Sequence, residues 1–329
     1  MCVWKLYMPG NVHSYWRPRW LAYLVFCFPL RPLRLCGESH ALLTNFAGIL
    51  FDGVAYGSLL FLIGIGLSVT MGLMNFVNLA HGAFAMLGGY ACVVVMSRLG
   101  VPFLASLPVA FVVTALAGVI LERTLYQRLY KASHLDQVLF SIGLTFMAIA
   151  AATYYFGPGQ QPVALPEFLR GQVHLSGLDL GAYRLFLIAV VVVITLALGW
   201  LVARTRFGAQ VRAAVDNQQA AAGMGINVRR IFSLTFALGS GLAGLGGALG
   251  IDVLGLDPTF PIKYMVYFLL VVSVGGAGSI KGTLAAALIL GVFDVAGKYY
   301  VPEVGAFVIY ALMVLLLILF PSGLLGRRA

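Results

Sequence analysis

A long stretch without charged side chains limits what this chain can fold into. Residues 53–97 contain no Asp, Glu, Lys or Arg. One helix crosses the hydrocarbon core of a membrane with about 20 residues, so this stretch is too long for one crossing and about right for two. We expect the break between the two helices at Met74–Asn78, where Asn75 and Asn78 interrupt the apolar pattern.

The composition agrees with a chain that lies mostly in lipid. Of the 329 residues, 61% are hydrophobic and 10% are charged, and the mean hydropathy is +0.97. An ordinary soluble domain carries about 25% charged residues, so too little polar material is present here to cover a water-exposed surface. The four cysteines form no CxxC pair. These observations exclude a soluble enzyme, a disordered protein and a disulfide scaffold.

Further apolar stretches predict an all-α, polytopic integral membrane bundle of about eight to nine transmembrane segments. No ten-residue alternation typical of a membrane β-barrel is present. The stretches 72–97 and 282–298 fit a full membrane crossing least well, so one or both are interpreted as half-helices or re-entrant segments. Besides the two segments within 53–97, the predicted segments are 101–121, 137–166, 185–203, 231–251, 264–280, 282–298 and 304–326.

Basic loops determine the predicted orientation. Loop 204–230 carries five arginines and one acidic residue, and loops rich in Lys and Arg stay in the cytoplasm. Counting crossings from this loop places loop 122–136 and the C-terminal Arg327–Arg328 on the cytoplasmic side. The loops 158–184 and 252–263 then lie outside. The net charge of +10 is therefore attributed to membrane loops and not to nucleic-acid binding.

The first 44 residues do not fit this alternation. They carry five Lys and Arg residues, although the count of crossings places them outside. The apolar stretch 20–30 is too short for a crossing, and no signal-peptide cleavage site follows it. It is either an extra short crossing or a segment upstream of a true start near residue 40. The residues themselves leave both interpretations open, and we divide the chain as the second one implies, into an N-terminal extension, 1–44, and a transmembrane domain, 45–329.

A glycine-rich segment allows two interpretations. Gly239–Gly244 matches the G-x-G-x-x-G pattern, but a dinucleotide fingerprint requires a preceding strand and a βαβ unit, and this copy lies inside an uncharged stretch. Gly239, Ala243 and Gly247 recur every four residues. Because small residues at that spacing let helices approach closely in lipid, we interpret the segment as a packing surface. The sequence contains no Walker A motif, so a P-loop is not predicted.

Polar residues within apolar stretches are candidates for function. Asn75, Asn78 and His81 surround the predicted break, where polar side chains either satisfy freed backbone groups or line a polar pathway. Asp294 is a carboxylate inside an apolar stretch, which marks a functional candidate. Lys298 lies one helical turn further on, so a simple ion pair is the alternative. No metal site is predicted at His81, because no second His or carboxylate lies within one turn.

Loop 204–230 is basic, amphipathic and rich in helix formers, and Gly223 and Gly225 close it. A helix of this kind either lies on anionic lipid or docks into a partner protein on the cytoplasmic side. The residues themselves leave both interpretations open.

Four blocks of sequence stand out by their length and order: Asn78–Tyr90, Arg204–Asn227, Gly239–Gly250 and Val274–Gly282. Together they resemble the branched-chain amino acid ABC importer permeases of the LivH type. The first block is similar to the family's N-F-A-H-G…M-L-G-A-Y block, the second to its T-R-x-G-x-x-x-R-A…G-I-N loop, and the last to its G-G-x-G-S-x-x-G turn. The resemblance covers about residues 45–329.

The resemblance implies a non-enzymatic transport subunit of a bacterial inner membrane with a cytoplasmic C-terminus. In that family two different permeases pair, two cytoplasmic ATPases drive them, and a periplasmic binding protein delivers the substrate. No cofactor is expected on this chain, because ATP binds to the partner ATPases. The implied function is ATP-driven import of branched-chain or related amino acids by alternating access. Urea, short amides or aromatic acids are the alternative cargo, and a stand-alone secondary transporter is the alternative class.

The resemblance also implies an ATPase-coupling segment at about 212–226. The family often has an acidic residue at position 219 and Arg at position 222, where this chain has Gln219 and Ala222. The expected coupling residues are Arg212, Asp216, Asn217, Gln219, Gly225 and Ile226. Our candidates for pathway-lining or hinge elements are Asn75, Asn78, His81, Gly82, Gly275, Gly276, Gly278, Ser279 and Asp294.

Overall fold

Helices make up most of the described chain, with one small β-hairpin. The computed structural model describes residues 38–74, 76, 78–130, 132–175, 178–320 and 323–325. Two units are distinguished, Met1–Leu42 and Leu43–Ala329, and the bundle described below belongs to the second. Most of the first unit lies outside the described residues, so the interpretation of residues 1–44 as an extension stays a prediction.

Within the described residues, nine apolar helices follow the order predicted from the apolar stretches. Seven of them are long and apolar enough to cross a membrane, and these include the helices over the two weakest stretches. The polytopic helical fold is therefore confirmed, whereas the number of crossings stays a prediction. The nine helices are α1 (Glu38–Met74), α2 (His81–Leu99), α3 (Phe103–Leu121), α5 (His134–Phe156), α7 (Ala182–Arg204), α10 (Val228–Leu254), α11 (Phe260–Gly275), α12 (Ile280–Tyr300) and α13 (Gly305–Leu319).

Short elements connect these helices. A π-helical segment, Glu122–Tyr126, and α4, Gln127–Leu129, continue α3. The helix α6, Glu167–Arg170, precedes strands β1, Gln172–Leu175, and β2, Leu178–Gly181. The strands pair antiparallel, and the register puts Gln172 opposite Gly181. Two further helices, α8 (Arg206–Asp216) and α9 (Gln218–Gly223), form the loop between α7 and α10.

The centre of the bundle consists of α1 and α10. In the most apolar stretch of each, 78% of the residues are buried, against 22% in α5 and 17% in α7. Glycines bring the central helices together. A Cβ at Gly66 of α1 would collide with the Gly239 backbone of α10, and one at Gly88 of α2 would collide with Gly244. Contacts this close confirm the packing interpretation of the glycine-rich segment.

The loops separate into two groups at opposite ends of the bundle. At one end Met74, Tyr130 and the α8–α9 loop pack in one apolar cluster. We call this the basic end, because the arginines of loop 204–230 lie there. At the other end, which we call the hairpin end, the Gln161 amide donates to the Leu256 carbonyl over 2.8 Å. This grouping agrees with the one predicted by counting crossings from loop 204–230.

Candidate functional site

The loop between α7 and α10 is divided into two short helices by three side-chain caps. The Thr205 hydroxyl accepts from the Gly208 amide over 3.1 Å and begins α8. The Asn217 side chain accepts from the Ala220 amide over 2.9 Å and begins α9. The Asn227 side chain then caps the start of α10. Side-chain caps satisfy the free amides at helix N-termini, so each bend is held by its own residue.

The helix α8 packs directly against the C-terminal end of α7. A Cβ at Gly208 would lie 2.5 Å from the Leu201 carbonyl oxygen and closer still to that of Val202, so the two helices touch through backbone. The Arg212 guanidinium donates to the Val202 carbonyl. On its other side, α8 buries Ala214 against Ile231 and Phe232 of α10. The helix α8 is therefore in direct contact with both α7 and α10.

The remaining surface of this loop faces away from the bundle. Among the predicted coupling residues, Arg212, Asp216, Asn217, Gln219 and Gly225 are exposed, whereas Ile226 is half-buried against the apolar cluster. Gly225 has a φ of +84°, a conformation that favours glycine. We call residues 216–225, all of which are exposed except the buried Ala221, the coupling surface. Met224 lies at the tip of the coupling surface and is 71% exposed. Our sequence analysis did not select it.

The predicted hinge turn between α11 and α12 lies at the same end. Gly276 and Gly278 have φ values of +88° and +80°, and the Ser279 hydroxyl accepts from the Gly282 amide. The Gly278 amide donates to the carbonyl of Ser68 in α1 over 2.9 Å. Gly275 packs against Thr283 of α12, so a side chain at position 275 would meet backbone.

A cleft connects this turn to the coupling segment. Its volume is about 390 Å³, and it lies between α1, α8 and the turn. The structure therefore brings together two groups of residues that the sequence analysis treated separately. The cleft is lined by Arg212, Asp216, Gly278 and Ser279, among others.

The break between α1 and α2 is buried inside the bundle. Asn75 lies outside the described residues. The Asn78 side-chain oxygen accepts from the Tyr126 hydroxyl over 3.0 Å and from the Ala80 amide over 3.1 Å. The His81 Nε2 donates to the Ile63 carbonyl of α1 over 2.9 Å. Non-helical backbone at membrane depth must be satisfied within the protein, and the bond from the Ala80 amide to Asn78 does so for one group of the break.

His81 and Gly82 also place α2 against its neighbours. A Cβ at Gly82 would lie 3.0 Å from the backbone of Pro261 in α11, and His81 is 3% exposed. The hydrogen bonds described for Asn78 and His81 lie within the chain. Their interpretation as pathway residues stays a prediction.

A buried carboxylate near the basic end was missed by the sequence analysis. Glu122, fully buried in the π-helical segment, accepts from Ser233 of α10 and from the Tyr130 hydroxyl, each over 2.5 Å. Gln127 Nε2 donates to the same carboxylate over 3.2 Å. Burial and the bond to Glu122 raise the pKa of the Tyr130 phenol, which keeps it a donor. A π-helical turn of this kind often accompanies a functional site.

Asp294 lies in the half of α12 farther from the basic end. Its side chain is 1% exposed, and Oδ2 accepts from Lys298 Nζ over 2.5 Å. The other oxygen, Oδ1, has no hydrogen-bond partner among the described residues. The ion pair that we weighed as the alternative is thus present, but it leaves half of a buried carboxylate unsatisfied.

The long apolar helices and the buried break define a polytopic helical membrane protein. Residues 49–317 match the family model described as "Branched-chain amino acid transport system / permease component", and the chain belongs to this family. No solved structure matches the chain significantly.

The descriptions of similar proteins support the same family assignment. The permease protein LivH of the high-affinity branched-chain amino acid transport system of Escherichia coli (strain K12) is 29% identical over 84% of this chain and 94% of its own length. BraD of Pseudomonas aeruginosa, the permease protein of a system with the same description, is 27% identical over 84% of this chain and 95% of its own. The second E. coli permease, LivM, is 24% identical over 80% of this chain and 67% of its own.

Proposed function

We propose that this chain is a transmembrane subunit of an ATP-driven importer that moves branched-chain amino acids from the periplasm to the cytoplasm by alternating access. The observation that carries this proposal is the family match over residues 49–317, which spans the bundle from α1 to α13. The relatives are permease proteins of branched-chain amino acid transport systems. The proposed location is a bacterial inner membrane, with the basic end and the C-terminus in the cytoplasm.

The proposed assembly contains a second, different permease. This chain is similar to both LivH and LivM, which are permeases of one system in the same bacterium. The helices α5 and α7 leave wide apolar faces uncovered by the rest of the chain, and these are available to lipid or to the second permease. A periplasmic binding protein would deliver the substrate at the hairpin end.

Two ATPases are proposed to dock on the coupling surface of this chain and on the equivalent surface of its partner. ATP would bind to the ATPases, and this chain would carry no cofactor of its own. Movement of α8 reaches α7 through the Gly208 backbone contact and reaches α10 through the apolar cluster. Because α10 packs on α1 and α2 by backbone contact and on α3 through small side chains, these helices would move as a rigid group around the transport pathway.

Co-purification in mild detergent tests the proposed assembly. The chain, tagged at its C-terminus, is purified from its native host, and mass spectrometry identifies the proteins that accompany it. We expect two ATP-binding proteins and a second hydrophobic permease. Recovery of the chain alone, intact and monodisperse, would contradict the proposal and favour a self-sufficient transporter.

A substitution at the tip of the coupling surface tests its role. Met224→Asp places a charge on an exposed apolar side chain, and we expect at least a tenfold loss of co-purified ATPase with normal membrane insertion. Leu135→Asp is the matched control, because Leu135 is 66% exposed in the first turn of α5. An acidic residue is tolerated at a helix N-terminus. Equal recovery of the ATPases in both variants would place the docking surface elsewhere.

Uptake into proteoliposomes tests the cargo. The complete importer is supplied with its binding protein, ATP and radiolabelled L-leucine, urea, a short amide or an aromatic acid. We expect ATP-dependent uptake of leucine. Preferred uptake of another cargo would keep the importer and change its substrate, whereas uptake without ATP would contradict the importer itself.

A further inference from the structure

A buried carboxylate with one free oxygen is the starting observation. In Asp294, Oδ2 accepts from Lys298 Nζ, and Oδ1 has no partner among the described residues, although the side chain is 1% exposed. Leaving a buried acceptor without a donor is costly, and the cost is larger for a charged group. A structural ion pair between residues one turn apart does not require such burial. The ion pair with Lys298 therefore does not account for the burial of Oδ1 without a hydrogen-bond donor.

Tyrosine side chains from three other helices lie near this carboxylate or near one another. It interacts electrostatically with Tyr56, Tyr264 and Tyr267. The Tyr264 and Tyr267 rings lie 6.0 Å apart, and the Tyr267 and Tyr310 rings lie 6.3 Å apart. We call the following group the tyrosine cage: Asp294, Tyr56 of α1, Tyr264 and Tyr267 of α11, and Tyr310 of α13.

The ammonium group of Lys298 lies against this cage. Lys298 Nζ is 5.5 Å from the centre of the Tyr56 ring and 2.5 Å from Asp294 Oδ2. A carboxylate combined with aromatic faces is the environment that binds ammonium ions in proteins. The lysine side chain is itself 49% exposed. Because its stem is flexible, its ammonium group can leave the cage without a movement of the backbone.

We propose that the tyrosine cage is a binding site for the α-ammonium group of a transported amino acid, and that Lys298 fills it when no substrate is present. The incoming ammonium group would displace Lys298 and donate to both oxygens of Asp294. The released Lys298 would then pair with the substrate carboxylate, so that the two residues complement the two charges of a zwitterion. This inference rests on the proposed function, because it requires an amino acid as cargo.

Uptake by the complete importer is the first test. The wild-type complex and the Asp294→Asn complex are reconstituted with the binding protein, and uptake of L-leucine is measured together with basal ATP hydrolysis. We expect Asp294→Asn to lower leucine uptake by about 10- to 100-fold relative to the wild-type complex, the range for a lost charge-assisted bond. The control is Asp52→Asn, since Asp52 pairs with Arg184 at the hairpin end, and we expect wild-type uptake.

Two failures can be told apart in this experiment. If the wild-type complex takes up no leucine or other amino acid, the proposed function is wrong. If the wild-type complex takes up leucine and Asp294→Asn does so equally well, the importer stands and the cage is not a substrate site.

The reactivity of Lys298 is a second and independent test. A membrane-impermeant amine-reactive ester is added to the wild-type complex, and modification of Lys298 is measured by mass spectrometry. We expect modification to rise at least threefold when leucine, binding protein and ATP are added together. The same complex with binding protein and ATP but without leucine is the control, and modification of Lys298 should stay there at its resting level.

A permanent structural pair predicts the opposite result for Lys298. If its modification is the same with and without transported leucine, the displacement model is overturned. This measurement uses the wild-type complex, so it decides the question even if Asp294→Asn does not assemble.

Discussion

At the scale of single residues, buried polar groups connect helices that are far apart in the sequence. Glu122 and Ser233 are separated by 111 positions and bond over 2.5 Å. Asn78 and Tyr126 join the break after α1 to the π-helical segment. In an apolar bundle each of these groups depends on its partner, because no water replaces a lost bond.

The carboxylate of Glu122 provides one prediction. Glu122→Gln keeps the size of the side chain but replaces one acceptor oxygen with a donor, which would face the Gln127 amide and either the Tyr130 or the Ser233 hydroxyl. We expect the free energy of unfolding to fall by about 1–3 kcal/mol, measured by SDS titration in mixed micelles. Glu167→Gln, at an exposed carboxylate of α6, should leave it unchanged. Equal stability of the two variants would show that the Glu122 network contributes little.

The bond between Asn78 and Tyr126 provides a second prediction. Asn78→Leu leaves the Tyr126 hydroxyl and the Ala80 amide without this acceptor, so we expect a loss of about 1–3 kcal/mol in the same assay. Tyr126→Phe should cost less, since the Asn78 oxygen still accepts from Ala80. In the double variant the second change should cost less than in the wild type. Strict additivity would indicate that the two groups act independently.

At the scale of elements, the contact between α7 and α8 determines how the coupling surface is held. Gly208→Ala would force a Cβ onto the Leu201 and Val202 carbonyl oxygens, so we expect α8 to shift. The measurement is leucine-stimulated ATP hydrolysis by the complete importer, which should fall at least fivefold with normal insertion. Gly199→Ala is the control, because a Cβ there meets open space. Normal stimulation in Gly208→Ala would contradict transmission through α8.

The elements themselves were largely predictable, because uncharged stretches have few other ways to fold in lipid. Each predicted segment corresponds to a helix, and the α8–α9 loop was predicted from its basic, amphipathic sequence. Contacts between distant residues were not predictable from one sequence. Glu122 was assigned to a loop because it is charged, and only the packing of α10 against α3 shows that it is buried. Met224 carries no pattern that separates an exposed methionine from a buried one.

At the scale of the whole molecule, glycines have different surroundings in the tightly packed centre and on the lipid-facing flank. In the centre, glycines let α10 touch α1 and α2 through backbone and let side chains of α3, such as Thr114, pack directly on α10. On the flank, glycines such as Gly143 of α5 have nothing within 4 Å of where a Cβ would lie. A Cβ added to a central glycine would therefore collide with a neighbouring helix, whereas one added to a flank glycine would meet open space.

This contrast predicts stability changes of opposite sign. At Gly247 of α10, a Cβ would lie 2.5 Å from the Ala85 carbonyl carbon of α2 and closer still to its oxygen. Gly247→Ala should therefore lower the free energy of unfolding of the isolated chain by about 1–3 kcal/mol through overpacking. Gly143→Ala should leave it unchanged or raise it by up to about 1 kcal/mol, because alanine favours the helix. SDS titration of both variants measures the difference, and a stable Gly247→Ala variant would mean that α2 and α10 can move apart without cost.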